Sequence, residues 1–309
     1  MRKLIAAAAA VLLLPSAACS SNRPAPGNQA DFPAPWHPTS PLALSPSAAP
    51  SPPEVPATPT AIADRLVELE TRIRNPATAD TALPPLAHQQ QVIYRQLAKQ
   101  PALANAVLAL LPPRWRGVAQ HHLKARREFL AMQRGPARST LPAWRIIAPR
   151  PAAELLRYYQ EASAATGIPW QVLAAVNLVE TAMGRIDGVS VANAHGPMQF
   201  LPSTWAEPGI GKGGDIRDPH DAIQAAARYL VRRGGLRDIR RGLWGYNNSD
   251  HYGNAVLEYA ALLADDPAAY RGLYNWEVHV ATSAGDIWLP VGYSQPTPIN
   301  VQTYLQQRR

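Results

Sequence analysis

Glu180 ends an apolar run, residues 173–181, that reads Leu-Ala-Ala-Val-Asn-Leu-Val-Glu-Thr. Desolvation at the edge of an apolar surface raises the pKa of a carboxylic acid, because it disfavours the charged form. An acid that is still protonated near neutral pH can donate its proton to a glycosidic oxygen. The residue type and its position therefore make Glu180 a candidate general acid, with a solvated residue on a helix face as the alternative.

The residues that follow this acid are rich in glycine, amide and aromatic side chains. They form the segments Gly184, Gly196-Pro197-Met198-Gln199-Phe200 and Gly245-Tyr246-Asn247. Amide and hydroxyl groups supply the hydrogen bonds that orient a carboxyl or a polar ligand. We therefore expect these segments to surround Glu180.

Helical periodicity dominates the elements that must position these residues. In residues 61–74, the apolar residues Ile62, Leu66, Leu69 and Ile73 form one helical stripe. The same pattern predicts helices over 85–99, 102–111, 114–132, 152–165, 170–183, a short helix around Trp205, and helices over 218–232, 236–243 and 254–264. Asp218-Pro219, with Asp221 three residues after Asp218, is typical of a helix start.

The C-terminal segment changes to a period of two. Apolar residues alternate with polar ones over 276–280 and again over 287–291, and Ser283-Ala284-Gly285-Asp286 separates the two runs. This pattern predicts a β-hairpin. The expected fold is mainly α, with a helical catalytic domain, an N-terminal helical region and a small C-terminal β-hairpin.

Over residues 152–265 the sequence resembles a known family, the bacterial lytic transglycosylases with a goose-lysozyme-like helical domain. The matching motifs are Glu180-Thr181, Gly184, Gly196-Pro197-Met198-Gln199, Ala225-Ala226-Ala227-Arg228-Tyr229-Leu230 and Gly245-Tyr246-Asn247. Thr181, Pro197 and Gly245 stand where the family pattern has Ser, Leu and Ala. Residues 198–205 and 218–223 are similar to the membrane-bound lytic transglycosylase B-like branch.

The resemblance implies cleavage of the peptidoglycan glycan without water. Glu180 would protonate the leaving oxygen and then, as a base, take the proton of the 6-hydroxyl of the same muramic sugar, closing a 1,6-anhydro ring. It further implies a substrate-binding set around this acid, made of Gln199, Tyr246, Asn247, Thr181, Met198, Phe200, Gly196 and Tyr252.

Residue type gives each member of this set an expected role. The Tyr246 hydroxyl would hold the Glu180 carboxyl, and the amides of Gln199 and Asn247 would bind the acetamido group. Gly196 permits a tight turn. Met198 and Phe200 suit either an apolar wall of the cleft or the core, Thr181 keeps the family's hydroxyl, and Tyr252 either lines the cleft or packs.

Two alternative functions stay open. A lysozyme-like muramidase of the same fold would need a second carboxylate to activate water, and Asp187 is the candidate base. A non-catalytic wall-binding or scaffolding lipoprotein would keep the fold with a degenerate site. Because Thr181, Pro197 and Gly245 differ from the family pattern, the non-catalytic alternative stays open.

The sequence predicts no cofactor and no metal. His195, His220 and His251 lack zinc spacing and a cysteine partner. Asp215, Asp218 and Asp221 suit loop and helix-cap positions. Residues 211–215 offer too few carboxylates for a calcium site and lack the ending of a phosphate-binding loop.

The N-terminal residues 1–19 are typical of an export signal, with Arg2 and Lys3 before a short apolar stretch. Cys19 is the only cysteine, which excludes an intramolecular disulfide. Its position after Ser16-Ala17-Ala18 favours lipidation and a membrane anchor, with simple cleavage after Ala18 as the alternative. The expected location is outside the cytoplasm, facing the cell wall or periplasm.

Composition divides the rest of the chain. Residues 20–62 are rich in Pro, Ala and Ser and predict a disordered linker. Residues 63–140 form a helical region of open role, including docking of a cell-wall or division partner. Residues 141–265 hold the lysozyme-like domain, and residues 266–309 the β-hairpin and C-terminal tail.

The net charge is +8, and five arginines cluster after the helix that starts at Asp218, namely Arg232, Arg233, Arg237, Arg240 and Arg241. The cluster is either a solvated face or attracts anionic wall polymer or lipid. The expected binding partners are peptidoglycan glycan strands and, through Cys19, the membrane. Nucleic acid is not expected, since the chain is exported and lacks interleaved aromatic and basic residues.

Overall fold

The computed structural model describes residues 51–133 and 135–308. The predicted export segment, Cys19 and most of the predicted linker lie outside the described residues. The end of that linker is helical, because the first helix begins at Pro59. Thr58 caps this helix by accepting a hydrogen bond from the backbone N–H of Ala61, and a proline is well tolerated at the first helical position.

From residue 51 to residue 133, the structure has four α-helices: α1 (Pro59–Arg74), α2 (Leu83–Lys99), α3 (Pro101–Leu110) and α4 (Pro113–Met132). The central part continues with β1 (Thr140–Leu141), β2 (Arg145–Ile146), α5 (Ala152–Thr166), α6 (Trp170–Thr181), β3 (Ile186–Asp187), α7 (Pro202–Trp205), α8 (Pro219–Arg232), α9 (Ile239–Tyr246) and α10 (Asp250–Asp265).

The C-terminal part comprises α11 (Tyr270–Tyr274), β4 (Val278–Thr282), β5 (Gly285–Leu289), β6 (Ile299–Asn300) and α12 (Val301–Gln306). Antiparallel pairs join β1 to β6, β2 to β3, and β4 to β5. The β4–β5 pair has Val278 opposite Leu289 and Thr282 opposite Gly285, which confirms the predicted hairpin. The mainly α fold is confirmed as well.

Hydrophobic packing is continuous between the N-terminal helices and the central domain. One buried cluster includes Leu66 of α1, Phe129 of α4, Val176 of α6 and Tyr259 of α10. Helix α10 packs against both α4 and α6. A smaller cluster, containing Trp144, Ile186 and Val280, lies beneath the hairpin. The N-terminal helices therefore support the helices that carry the candidate site.

A buried polar network reinforces this packing. The carboxylate of Glu70 is fully buried and accepts hydrogen bonds from Tyr94 Oη at 2.6 Å, Gln90 Nε2 at 2.8 Å and Arg74. Arg74 also pairs with Asp266, directly after α10. The network therefore ties α1 and α2 to the end of α10.

Among the described residues, no helix combines the length and apolar character needed to cross a bilayer.

Candidate active site

Helix α6 carries Glu180 near its C-terminal end. The helix follows Gly167, whose φ of 81° ends α5, and every residue from Val172 to Thr181 is buried. It ends at Thr181, two residues before the predicted end, because Ala182 and Met183 adopt left-handed backbone angles (φ of 51° and 63°). Non-glycine residues seldom adopt such angles. The backbone is therefore strained directly after the candidate acid.

The carboxyl group of Glu180 is held by a tyrosine from a different helix. Tyr252 Oη donates a hydrogen bond to Glu180 Oε1 at 2.7 Å, and both side chains are buried. Burial raises the pKa of Tyr252 well above its usual value, and the neighbouring Glu180 carboxylate raises it further. Tyr252 therefore stays protonated near neutral pH and acts as a hydrogen-bond donor to Glu180.

Tyr246, which the sequence suggested for this role, bonds elsewhere. Its hydroxyl donates to the carbonyl oxygen of Met198 at 2.7 Å. The Tyr246 and Tyr252 rings lie nearly parallel, with centroids 6.3 Å apart. Tyr246 is the last residue of α9, while Tyr252 lies in the first turn of α10, where Ser249 caps the helix. The packing of these two helices decides which hydroxyl reaches the acid.

Thr181 joins the end of α6 to the loop that follows it. Its hydroxyl donates to the carbonyl of Pro197 at 2.6 Å and accepts from the backbone N–H of Gly184 at 3.1 Å. Asn177 donates to the same carbonyl at 2.8 Å. Thr181 is fully buried, so the structure places it beneath the site and not on a sugar-contacting surface.

The segment from His195 to Phe200 forms a tight turn, in which these two residues pair through backbone bonds of 2.8 and 2.9 Å. Gly196 and Gln199 adopt positive φ angles of 72° and 48°. Gln199 Nε2 donates to the carbonyl oxygens of Gly196, at 2.9 Å, and Gly188, at 3.5 Å. The Gln199 amide therefore connects its own turn to the loop that contains Gly188.

Only glycine fits at position 196. A Cβ there would lie 1.8 Å from the carbonyl oxygen of Ile216. The close approach explains the glycine independently of any ligand.

The other predicted substrate-binding residues have mainly structural positions. Met198 is fully buried, and Phe200 packs edge-on against Trp205 and Tyr229. Of the two roles considered for these residues, the structure therefore gives them the core. Asn247 is buried at the end of α9, where its backbone N–H donates to the carbonyl of Leu243.

Asp187, the candidate base of a muramidase, is engaged in ion pairs. Arg145 Nε lies 3.0 Å from Oδ2 of Asp187, and Arg217 Nη1 lies 3.5 Å from Oδ1. The pairing of β2 with β3 places Arg145 directly opposite Asp187. Both carboxylate oxygens therefore face guanidinium groups, whereas a general base must present an oxygen to its water.

Asp218, His220 and Asp221 bring their ligand atoms within 4.8 Å of one another. Asp218 accepts a hydrogen bond from the N–H of Asp221 at 3.0 Å, and Asp221 accepts one from the N–H of Asp215 at 2.9 Å. These bonds confirm the predicted cap and loop roles.

One comparison with known proteins gave a match, and it lies in the central domain. Residues 157–259, from α5 to α10, match the family described as the transglycosylase SLT domain. No curated protein and no solved structure gave a match. The mainly helical fold thus contains a lysozyme-like segment that matches the SLT domain, and the match supports peptidoglycan lytic transglycosylase activity in general terms.

Proposed function

We propose that this protein cleaves the β-1,4 bond between MurNAc and GlcNAc in peptidoglycan and leaves 1,6-anhydro-MurNAc ends. The observation that carries the proposal is the buried Glu180 carboxyl held by Tyr252 within a domain that matches the transglycosylase SLT family. A hydrogen-bonded acid in a dry site can protonate a glycosidic oxygen and afterwards accept a proton.

The reaction needs a single carboxyl group that acts twice. Glu180 donates its proton to the leaving O4 of GlcNAc as the bond from C1 of MurNAc breaks, with assistance from the acetamido oxygen of that sugar. The ionised Glu180 then takes the proton of the 6-hydroxyl, and O6 bonds to C1. The acid regains its proton, and no water is consumed.

The environment of Glu180 suits both steps. The phenol of Tyr252 donates to the carboxylate when Glu180 is ionised, which stabilises the charge between the two proton transfers. The turn that contains Gln199 is fixed by Gly196 and by the hydroxyl of Tyr246. We assign to Gln199 and Asn247 the binding of the acetamido group, and to the backbone at Gly196 an approach to the sugar ring.

The test is digestion of purified peptidoglycan with residues 51–309 and with the same chain carrying Glu180→Gln. The proposal predicts anhydro-muropeptides from the unmodified protein and none from the variant. Products with reducing ends would indicate a muramidase. No release of products, with retained binding to the sacculus, would indicate a wall-binding protein without catalytic activity.

We further propose that the protein is exported and anchored through a lipid on Cys19. The supporting observations are in the sequence, where a basic start and a short apolar stretch precede Ser16-Ala17-Ala18-Cys19. Mass spectrometry of the N-terminal peptide from the membrane fraction tests this proposal. A diacylglyceryl-modified Cys19 is expected, whereas a soluble mature chain with an unmodified cysteine would contradict it.

A further inference from the structure

A groove of about 630 Å³ lies beside the C-terminal end of α6. One wall is the segment 145–151, which leads from β2 into α5, and the other is formed by Gly184, the β3 segment and the Gly196-Pro197 turn. The groove is open to solvent and has both polar and apolar lining. It is therefore large enough for a short peptide and too wide for a single bound ion.

Arginines dominate the charge of this groove. Arg145, Arg150 and Arg217 line it, and Asp187 is the one carboxylate among its described lining residues. Asp187 lies between Arg145 and Arg217, so one negative charge faces two guanidinium groups. Arg150 is exposed, and within the described part of the chain it has no ion pair at 4 Å or less. The groove therefore carries a net positive charge.

The groove is connected to the candidate active site through backbone groups. Gly188 lines the groove, and its carbonyl accepts the bond from Gln199. Pro197 also lines it, and its carbonyl accepts the bond from Thr181, the residue next to Glu180. The groove therefore borders the turn that is bonded to the end of α6, one residue from Glu180.

We propose that this groove binds the carboxylates of the peptide attached to the muramic sugar, so that peptide-bearing glycan is cleaved in preference to peptide-free glycan. This inference rests on the proposed function. Guanidinium groups match carboxylates in shape and charge and bind them with paired hydrogen bonds. Ile147 and Ile186 of the lining offer contacts for small apolar side chains such as those of alanine.

The experiment compares two substrates that differ only in the peptide. One is soluble peptidoglycan strands with their peptides, and the other is the same strands after removal of the peptides by an amidase. The double variant Arg150→Gln/Arg217→Gln removes two charges from the groove. The matched control, Arg72→Gln/Arg114→Gln, removes two exposed arginines of the N-terminal helices.

The inference predicts that the groove variant loses tenfold or more in kcat/KM on peptide-bearing strands and less than twofold on peptide-free strands. The control should match the unmodified protein on both. Equal losses on the two substrates, or no loss on either, would overturn the inference.

Binding to the Glu180→Gln protein keeps this test separate from the proposed function. Titration calorimetry with soluble fragments should give tighter binding of peptide-bearing fragments, and the two groove substitutions should abolish the difference. If the unmodified protein cleaves neither substrate, the proposed function fails. The binding comparison still decides whether the groove recognises the peptide. Equal affinity for both fragments would rule the inference out.

Discussion

Tyr252 in the first turn of α10 donates a 2.7 Å hydrogen bond to Glu180 at the end of α6. The two residues come from helices that pack against each other, so the position of the candidate acid depends on that packing. Helix α10 also packs against α4. The N-terminal helices thereby contribute to the geometry of the site although the matched SLT segment begins only at residue 157.

Removal of the Tyr252 hydroxyl should weaken catalysis and change its pH dependence. A hydrogen bond to a charged group contributes about 1.5 to 3 kcal/mol, so Tyr252→Phe should lower kcat about 10- to 100-fold. The lost donor had favoured the ionised form of Glu180. The alkaline limb of the kcat profile should therefore move to higher pH.

Tyr246→Phe is the matched control for this substitution. Its hydroxyl bonds to the Met198 carbonyl and not to Glu180. This variant should lower activity through the turn while leaving the alkaline limb in place. The same shift of that limb in both variants would contradict the assigned role of Tyr252.

Gly196→Ala should destroy the turn that holds Gln199. The added Cβ would lie 1.8 Å from a backbone oxygen that belongs to a different segment. Gly213→Ala is the control, because Gly213 has a similar φ of 77° and nothing lies within 4 Å of its Cβ position. The control should cost about 1 kcal/mol of backbone strain and keep its activity. Activity and thermal melting of both variants would check this difference.

Helix α1 allows a buried ion pair to be compared with an exposed one, and an arginine takes part in each. Arg74 and Glu70 form an i, i+4 pair with side chains only 5% and 0% exposed, whereas Arg72 and Glu68 form one at 49% and 45%. Arg74→Met leaves a buried carboxylate uncompensated and should cost about 3 to 5 kcal/mol. Arg72→Met should cost about 0 to 1 kcal/mol. Urea unfolding of both variants measures the difference, and similar costs would contradict the role of the network.

Acid should destabilise the junction between α2 and the β-hairpin. Burial lowers the pKa of His88 to about 3, assisted by His279 and Arg95, and it lowers the pKa of His279 to about 4 despite the favourable contact with Asp286. Both values lie below the usual 6.5 of the unfolded chain. The unfolded state therefore binds more protons below pH 6.5, and stability falls as the pH falls from there to about 4.

The slope should reach about 1.4 kcal/mol per pH unit for each of these histidines. Their imidazoles contact each other at 2.9 Å, so His279→Gln should flatten the decline between pH 6.5 and 4. Melting temperatures across this pH range would show the effect, and an unchanged slope in His279→Gln would refute it.

The features that depend only on residues close in sequence, such as helix caps and hairpins, are predictable from the sequence. The cap at Asp218 follows from residue types within one turn, and its bond to Asp221 is present at 3.0 Å. The β4–β5 hairpin follows from alternation around a short turn. The sequence predicts the end of α6 two residues beyond its observed position, because the left-handed angles of Ala182 and Met183 have no signature in residue type.

The partners of the site residues depended on long-range packing. Sequence order does not tell which of Tyr246 and Tyr252 reaches Glu180, since the answer depends on how α10 packs against α6 and α9. Similarly, Arg145 meets Asp187 only because β2 pairs with β3, 42 residues along the chain. The sequence offers one signal for Tyr252. This tyrosine lies shortly after the Tyr246-Asn247 motif, in the first turn of a helix that Ser249 caps.

The most direct test of the central claim is digestion of peptidoglycan in water enriched in oxygen-18, followed by mass analysis of the new glycan ends. If Glu180 closes an anhydro ring, the products carry no heavy oxygen and are one water lighter than hydrolysis products. Incorporation of one heavy oxygen at each new MurNAc end would mean that water attacks the sugar, and it would contradict the mechanism proposed for Glu180.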